Sequence, residues 1–152
     1  MRYVGGGQTW TVAEADEVFD WALAHWDKHG FGWRSAVEKT TGNWLGFVGL
    51  NHPGPRAAAM EPDDVEIGWW LVRDRWGKGF ASEGAVVVRD EAFDRLALDR
   101  IIARVQPANT ASARITEKLG MTLAREAAGR HGERIAIYSL TRPKPPPATD
   151  VH

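Results

Sequence analysis

The chain has 152 residues, 19 Lys and Arg against 20 Asp and Glu, and a formal net charge of −1. That length suits one domain burying roughly 68–70% of its unfolded chain's surface, and the near-neutral charge argues against a nucleic-acid partner held on a basic face. The absence of cysteine excludes disulfide frameworks, thiolate metal sites and cysteine nucleophiles, and makes the cytoplasm the natural compartment. No stretch approaches the ~20 apolar residues of a membrane span, and residues 1–7 have neither a basic nor an apolar leader region, so no membrane partner is expected.

Thr11-Val-Ala-Glu14 has the spacing of a capping box. Val12, Ala15, Phe19, Ala22, Leu23 and Trp26 then recur at helical intervals until Gly30, which predicts a first helix with that face inward. Residues 31–38 and 44–50 are β-rich runs joined by a turn-rich connector, a hairpin pattern, and residues 52–62 form a surface loop punctuated by Pro and Gly. A third strand is predicted over 64–72, a long helix over 80–96 with Ala81, Ala85, Val88, Ala92 and Leu96 on one face, and a short β-branched strand over 101–105. A second capped helix over 110–119 closes at Gly120, and strands over 121–126 and 135–140 finish the fold. The order α-β-β-β-α-β-α-β-β predicts a mixed α/β layer architecture with a β-α-β crossover in its middle. Residues 1–141 read as one domain and residues 142–152, with three consecutive prolines, as a solvated extended tail.

Chemistry concentrates in Arg73-Asp-Arg-Trp-Gly-Lys-Gly79, where a strand passes through two glycines directly into a helix. Gly77 and Gly79 let a ligand approach the backbone, and the unpaired first amides of the next helix sit at the positive end of its dipole, an arrangement that cradles phosphate. Arg73, Arg75 and Lys78 add cations. No P-loop string occurs, and the dinucleotide fingerprint is missed at Ser82, although Asp99 follows at a suitable distance. Downstream, Asn109 and Ser112 open a helix and can face one ligand, while Asn109 also suits a plain N-cap. His25 and His29 lie four apart on the first helix, but with no third ligand evident no metal is expected.

Three ordered motifs together resemble the GNAT acetyltransferase superfamily, and within it the branch of ribosomal-protein N-acetyltransferases. They are Glu66-Ile-Gly-Trp-Trp-Leu-Val72, Gly77-Lys-Gly-Phe-Ala-Ser-Glu-Gly84, and Asn109-x-x-Ser112 followed by Glu117-Lys-Leu-Gly-Met121. The resemblance extends over residues 11–140 and implies the GNAT fold, acetyl-coenzyme A as cosubstrate without a metal, and acetyl transfer to a primary amine on a small molecule or a protein N-terminus. It implies that Leu71 and Val72 pair with pantetheine, that Arg75, Trp76, Gly77, Lys78, Gly79, Phe80 and Ala81 surround the pyrophosphate, and that Asn109 and Ser112 complete the coenzyme site. An oxyanion-binding amide is expected near Trp70 or Leu71. Relatives often use a tyrosine to protonate the leaving thiolate, but that position holds Thr116, so the task falls to Ser112. Asp74 stands where relatives carry Gln or Arg. Glu66 is the candidate general base, ahead of Glu126 and Glu133, and Trp33, Trp44 and Trp69 are expected to border an acceptor groove. The usual first strand and helix have no room before residue 11, which would leave a hairpin edge open to pairing in a homodimer. A coenzyme-binding module without turnover and a dinucleotide-binding protein are the alternative readings.

Overall fold

In the computed structural model, which describes residues 9–145, the Thr11 capping box forms as the spacing predicts. Glu14 donates its main-chain N–H to Thr11 Oγ1 at 3.2 Å and returns a carboxylate to the Thr11 amide at 2.8 Å. Helix α1 (Val12–His29) ends at Gly30, whose φ of 70° only glycine adopts without strain. There follow β1 (Trp33–Val37), β2 (Trp44–Asn51), β3 (Glu66–Leu71), a single 3-10 turn at Arg73–Arg75, α2 (Phe80–Asp94), β4 (Arg100–Val105), α3 (Thr110–Lys118), β5 (Thr122–Ala128) and β6 (Arg134–Thr141). The element order matches the sequence reading, and the 3-10 turn is the addition. The first eight residues and most of the proline-rich tail lie outside the described residues. No helix among the described residues is long and apolar enough to cross a membrane.

The strands form one six-stranded mixed sheet in the order β1-β2-β3-β4-β6-β5. Only β3 and β4 run parallel, because α2 carries the chain across between them. Residues alternate across the sheet. Ile67, Ile101, Ala103, Val48 and Leu50 face α2 and α3, where Ala85, Val88 and Ala92 bring α2 close to the strands. Each fully buried Ile or Leu there contributes roughly 1.5–3 kcal/mol. On the opposite face Ile102, Ile135 and Ile137 are covered by Ala59 and Met60 from the loop after β2. Among the described residues β1 pairs with β2 alone, and no strand precedes α1.

Helix α1 corrects one expectation. Its one buried residue is His25, whereas Val12, Phe19 and Leu23 of the predicted inward stripe are exposed. Instead, Trp21 packs against Gly54, Trp26 Nε1 donates to the Trp33 carbonyl at 2.8 Å, and Arg56 bridges to Glu14 and Glu17 at 3.0 Å each. The face turned inward keeps Trp26 of the predicted run and adds Trp21, His25 and His29.

Candidate active site

Strands β3 and β4 share a single register pair, Glu66 with Ile102, and one adjoining bond, Ile102 N–H to the Val65 carbonyl at 2.9 Å. Beyond it they part, opening a wedge whose β3 wall runs to Leu71. On its other side β3 is fully paired with β2 from Glu66 to Leu71. Val72 N–H is bound to the Leu45 carbonyl at 2.9 Å, so by strand alternation the main-chain groups of Leu71 and Trp69 turn toward the wedge. This narrows two expectations. The Val72 amide is already committed within the sheet, and of Trp70 and Leu71 it is Leu71 whose N–H faces the wedge. The Leu71 carbonyl accepts the Trp76 indole N–H at 2.8 Å, which holds Trp76 across the end of the strand.

The glycine turn follows at once. Gly77 (φ 73°) and Gly79 (φ 82°) both occupy left-handed conformations, and space is open where a Cβ would sit. Gly79 is the N-cap of α2 and provides no side-chain hydrogen bond. The first-turn amides at Phe80, Ala81 and Ser82 therefore lack intrahelical partners at the positive end of the helix, next to the turn. Lys78 and Arg73 are exposed, and their side chains have no hydrogen bond or ion pair with the described residues. Arg75 differs: its guanidinium donates to Glu38 at 3.1 Å and ties the turn to the β1–β2 hairpin. Asp74 is exposed within the 3-10 turn.

Asn109 and Ser112 lie across the wedge at the start of α3. Asn109 Oδ1 accepts the Ser112 amide at 3.2 Å, the N-cap that its position also suggested. Ser112 Oγ accepts the Trp69 indole N–H at 3.1 Å. An indole only donates, so this contact leaves the Ser112 hydroxyl proton for another acceptor. Thr116 is fully buried and donates to the Ala113 carbonyl at 2.6 Å, so it offers the site nothing in place of a phenol.

The three carboxylates are engaged. Both oxygens of Glu66 accept from Arg104, each at 2.9 Å, across the point where β3 and β4 part. Arg104 also donates to the Ala58 carbonyl at 2.7 Å. Burial works against the Arg104 charge, but the Glu66 carboxylate outweighs it and raises the guanidinium above its usual value. Glu126 pairs with Arg134 at 2.6 Å on an exposed strand, and Glu133 accepts amides of its own turn, which lower its pKa.

The expected tryptophan trio is divided by strand alternation. Trp69 points to the α3 side, where it meets Ser112. On the other face Trp44, Phe47 and Trp70 form a half-exposed aromatic cluster with ring separations of 5.2 to 6.3 Å. Trp33 shares that face and lies over Gly68, where a Cβ would approach its ring to 2.5 Å. Sequence reasoning missed Trp70 because consecutive tryptophans in a strand give no sign of which faces which way. It also missed Arg104, which only the parallel β3–β4 pairing brings to Glu66.

The expectation that His25 and His29 lack a third ligand is overturned. His52, just after β2, joins them, and one ring nitrogen from each lies within 4.8 Å of the others. Burial lowers the pKa of His25 against the Phe31 carbonyl bond that raises it, and burial with the neighbouring His29 lowers that of His52.

A parallel pair parting beside a glycine turn that caps a helix with bare amides makes a cleft in a mixed α/β fold that suits an extended anionic ligand. The family described as the acetyltransferase (GNAT) domain matches residues 1–122, and the chain belongs to it. An uncharacterised N-acetyltransferase of Bacillus licheniformis is 36% identical over 110 residues, covering 70% of this chain and 59% of that protein. An acetyltransferase structure from Agrobacterium tumefaciens is 33% identical with a TM-score of 0.74, covering 90% of this chain and 75% of that one. The ribosomal-protein-S5-alanine acetyltransferase of Vibrio fischeri is 25% identical with a TM-score of 0.66, covering 81% and 69% of the two chains. The match to the Bacillus licheniformis relative thus spans less than two thirds of that protein's length.

Proposed function

We propose that the protein transfers an acetyl group from acetyl-coenzyme A to a primary amine, on a small molecule or at a peptide N-terminus. The observation that carries this reading is the Gly77–Gly79 turn, which caps α2 without a side chain beside a strand edge that turns Leu71 and Trp69 outward. The coenzyme's pyrophosphate meets the amides of Phe80 to Ser82 together with Lys78, and pantetheine runs along β3 at Leu71. Attack on the thioester carbonyl places negative charge on its oxygen, which the Leu71 N–H is oriented to receive. The bond to sulfur then breaks, and Ser112, held as an acceptor by Trp69, passes its proton to the departing thiolate and takes up the proton that the attacking nitrogen sheds as the amide forms, so its hydroxyl is restored.

For the amine's proton, the pairing with Arg104 favours Glu66 as a positioning group between β3 and β4 rather than as the base expected from sequence. The amine then enters as its free base, with Trp44, Phe47 and Trp70 as the apolar approach. A cysteine-free composition fits a cytoplasmic setting, and the outer edge of β1, which pairs with no strand among the described residues, suits pairing with a second copy.

Thiol release from acetyl-coenzyme A, followed across a panel of amines, tests the reaction. Release that depends on one class of amine supports it. Coenzyme A binding without release under any amine indicates a binding module, and absence of coenzyme A binding refutes the reading.

A further inference from the structure

We propose that His25, His29 and His52 form a binding site for a divalent transition-metal ion of the zinc type, clamping the last turn of α1 to the segment after β2. The site is separate from the wedge. His52 follows Asn51, which pairs with Glu66 at the start of β3, whereas the glycine turn lies beyond the far end of that strand.

His25 and His29 are four residues apart and project from one face of α1, which brings their rings to 4.6 Å between centroids. His52 packs against both, at 5.3 Å from His25 and 4.4 Å from His29. The tautomer of His25 is fixed by its surroundings. Its Nδ1 lies 2.8 Å from the Phe31 carbonyl and must donate, which leaves a lone pair on Nε2. Such a carbonyl bond is the usual support that orients a metal-binding imidazole. The Nε2 lone pair points at His52, accepting its main-chain N–H at 3.1 Å and lying 3.1 Å from His52 Nδ1. Two nitrogens bound tetrahedrally to one ion at ~2.0–2.1 Å stand about 3.3 Å apart, so this pair is already near the separation that sharing a metal requires. The main-chain N–H contact is what an incoming ion would displace.

The donor set selects the ion. Three imidazoles without thiolate or a carboxylate among the three suit zinc, cobalt, nickel or copper, whereas calcium and magnesium require oxygen ligands. His25 is buried and His29 and His52 are half-buried, so one side stays accessible for the ion to enter and for a water as fourth ligand. The C-terminal end of α1 adds a favourable dipole, and of the charged neighbours felt by His52, Asp63 assists a cation while Lys28 opposes it. The clamp has a mechanical use, since α1 buries only His25 and is otherwise fastened by peripheral contacts.

The test is a titration of the full untagged chain with Zn²⁺, and with Co²⁺ followed by visible absorption, for the parent and for His29→Ala and His52→Ala. His25→Ala is avoided because that ring is buried. Expected are one equivalent bound by the parent, a loss of affinity of at least about tenfold in each variant, no response to Mg²⁺, and a rise in the parent's Tm with Zn²⁺ that both variants lack. Failure of the parent to bind one equivalent would overturn the proposal, leaving a histidine cluster held by hydrogen bonds alone. Equal binding or equal thermal shifts in parent and variants would overturn it too, by sending the ion to other groups such as His131.

Discussion

Glu66→Gln separates two roles for one carboxylate. In the parent, both oxygens of Glu66 hold Arg104, and the side chains of the pair are 17% and 21% exposed. The amide keeps the shape of Glu66 but removes its charge, leaving a largely buried guanidinium with only neutral acceptors, the amide oxygen and the Ala58 carbonyl, and setting the amide NH2 against one of its donors. Removing one partner of a fully buried pair costs about 3–5 kcal/mol, and partial solvent access reduces this to about 2–3 kcal/mol here. For a domain of this size that is a fall in Tm of roughly 5–10 °C. Arg104→Gln should cost a similar amount, and the double variant should recover at least about 1 kcal/mol of the summed loss, because neither charge is then stranded. Urea unfolding of the four proteins measures this directly. In parallel, kcat/KM for Glu66→Gln against pH should follow the parental profile at a uniformly reduced level. Additive single variants that each cost under about 0.5 kcal/mol would refute a structural role for the Glu66–Arg104 pair. A kinetic loss concentrated near neutral pH and recovered at alkaline pH would return Glu66 to the role of general base.

Gly79→Ala should abolish coenzyme A binding by calorimetry while lowering stability by only about 1–2 kcal/mol, since φ is 82° but no atom crowds the new Cβ. Ser112→Ala should lower kcat more than KM in steady-state kinetics, and Trp69→Phe, which removes the indole donor, should reproduce part of that loss. His25 and His52 have folded pKa values below 6.5, so between the folded and unfolded values the unfolded chain binds more protons. Stability should therefore be full above about pH 6.5, the unfolded value, and fall with pH until the lower folded value is passed. Thermal melts from pH 8 to pH 5 should show that decline, and His52→Gln should flatten it.

Local signals in the sequence were strong where they depended on one residue's own conformational preference. Thr11 with Glu14, Gly30, and the Gly77–Gly79 pair mark a cap, a stop and a left-handed turn by chemistry that neighbours in the chain complete. What stayed hidden depended on partners distant in sequence. Helix α1 shows one apolar run in the sequence, and only contact with Gly54 and His52 turns Trp21 and His25 inward in place of Phe19 and Leu23. Trp69 leaves the aromatic face expected of it and Trp70 joins that face, because the sheet decides which side each one meets. Likewise Glu66 reads as a free carboxylate until the parallel pairing supplies Arg104.

The row of Trp33, Gly49 and Gly68 across β1, β2 and β3 has a consequence for how the sheet finds its alignment. A slip of one residue along a strand reverses its faces, and the apolar pattern alone forbids that. A slip of two preserves the faces and escapes that control. Here it would slide Phe47 or Asn51 of β2, or Trp70 or Glu66 of β3, beneath the Trp33 indole, where not even a methyl group fits over Gly68. The two glycines thus form a slot that admits one flat ring at one offset. They set the position at which β3 reaches Leu71, and with it the distance from that strand's end to the turn at Gly77.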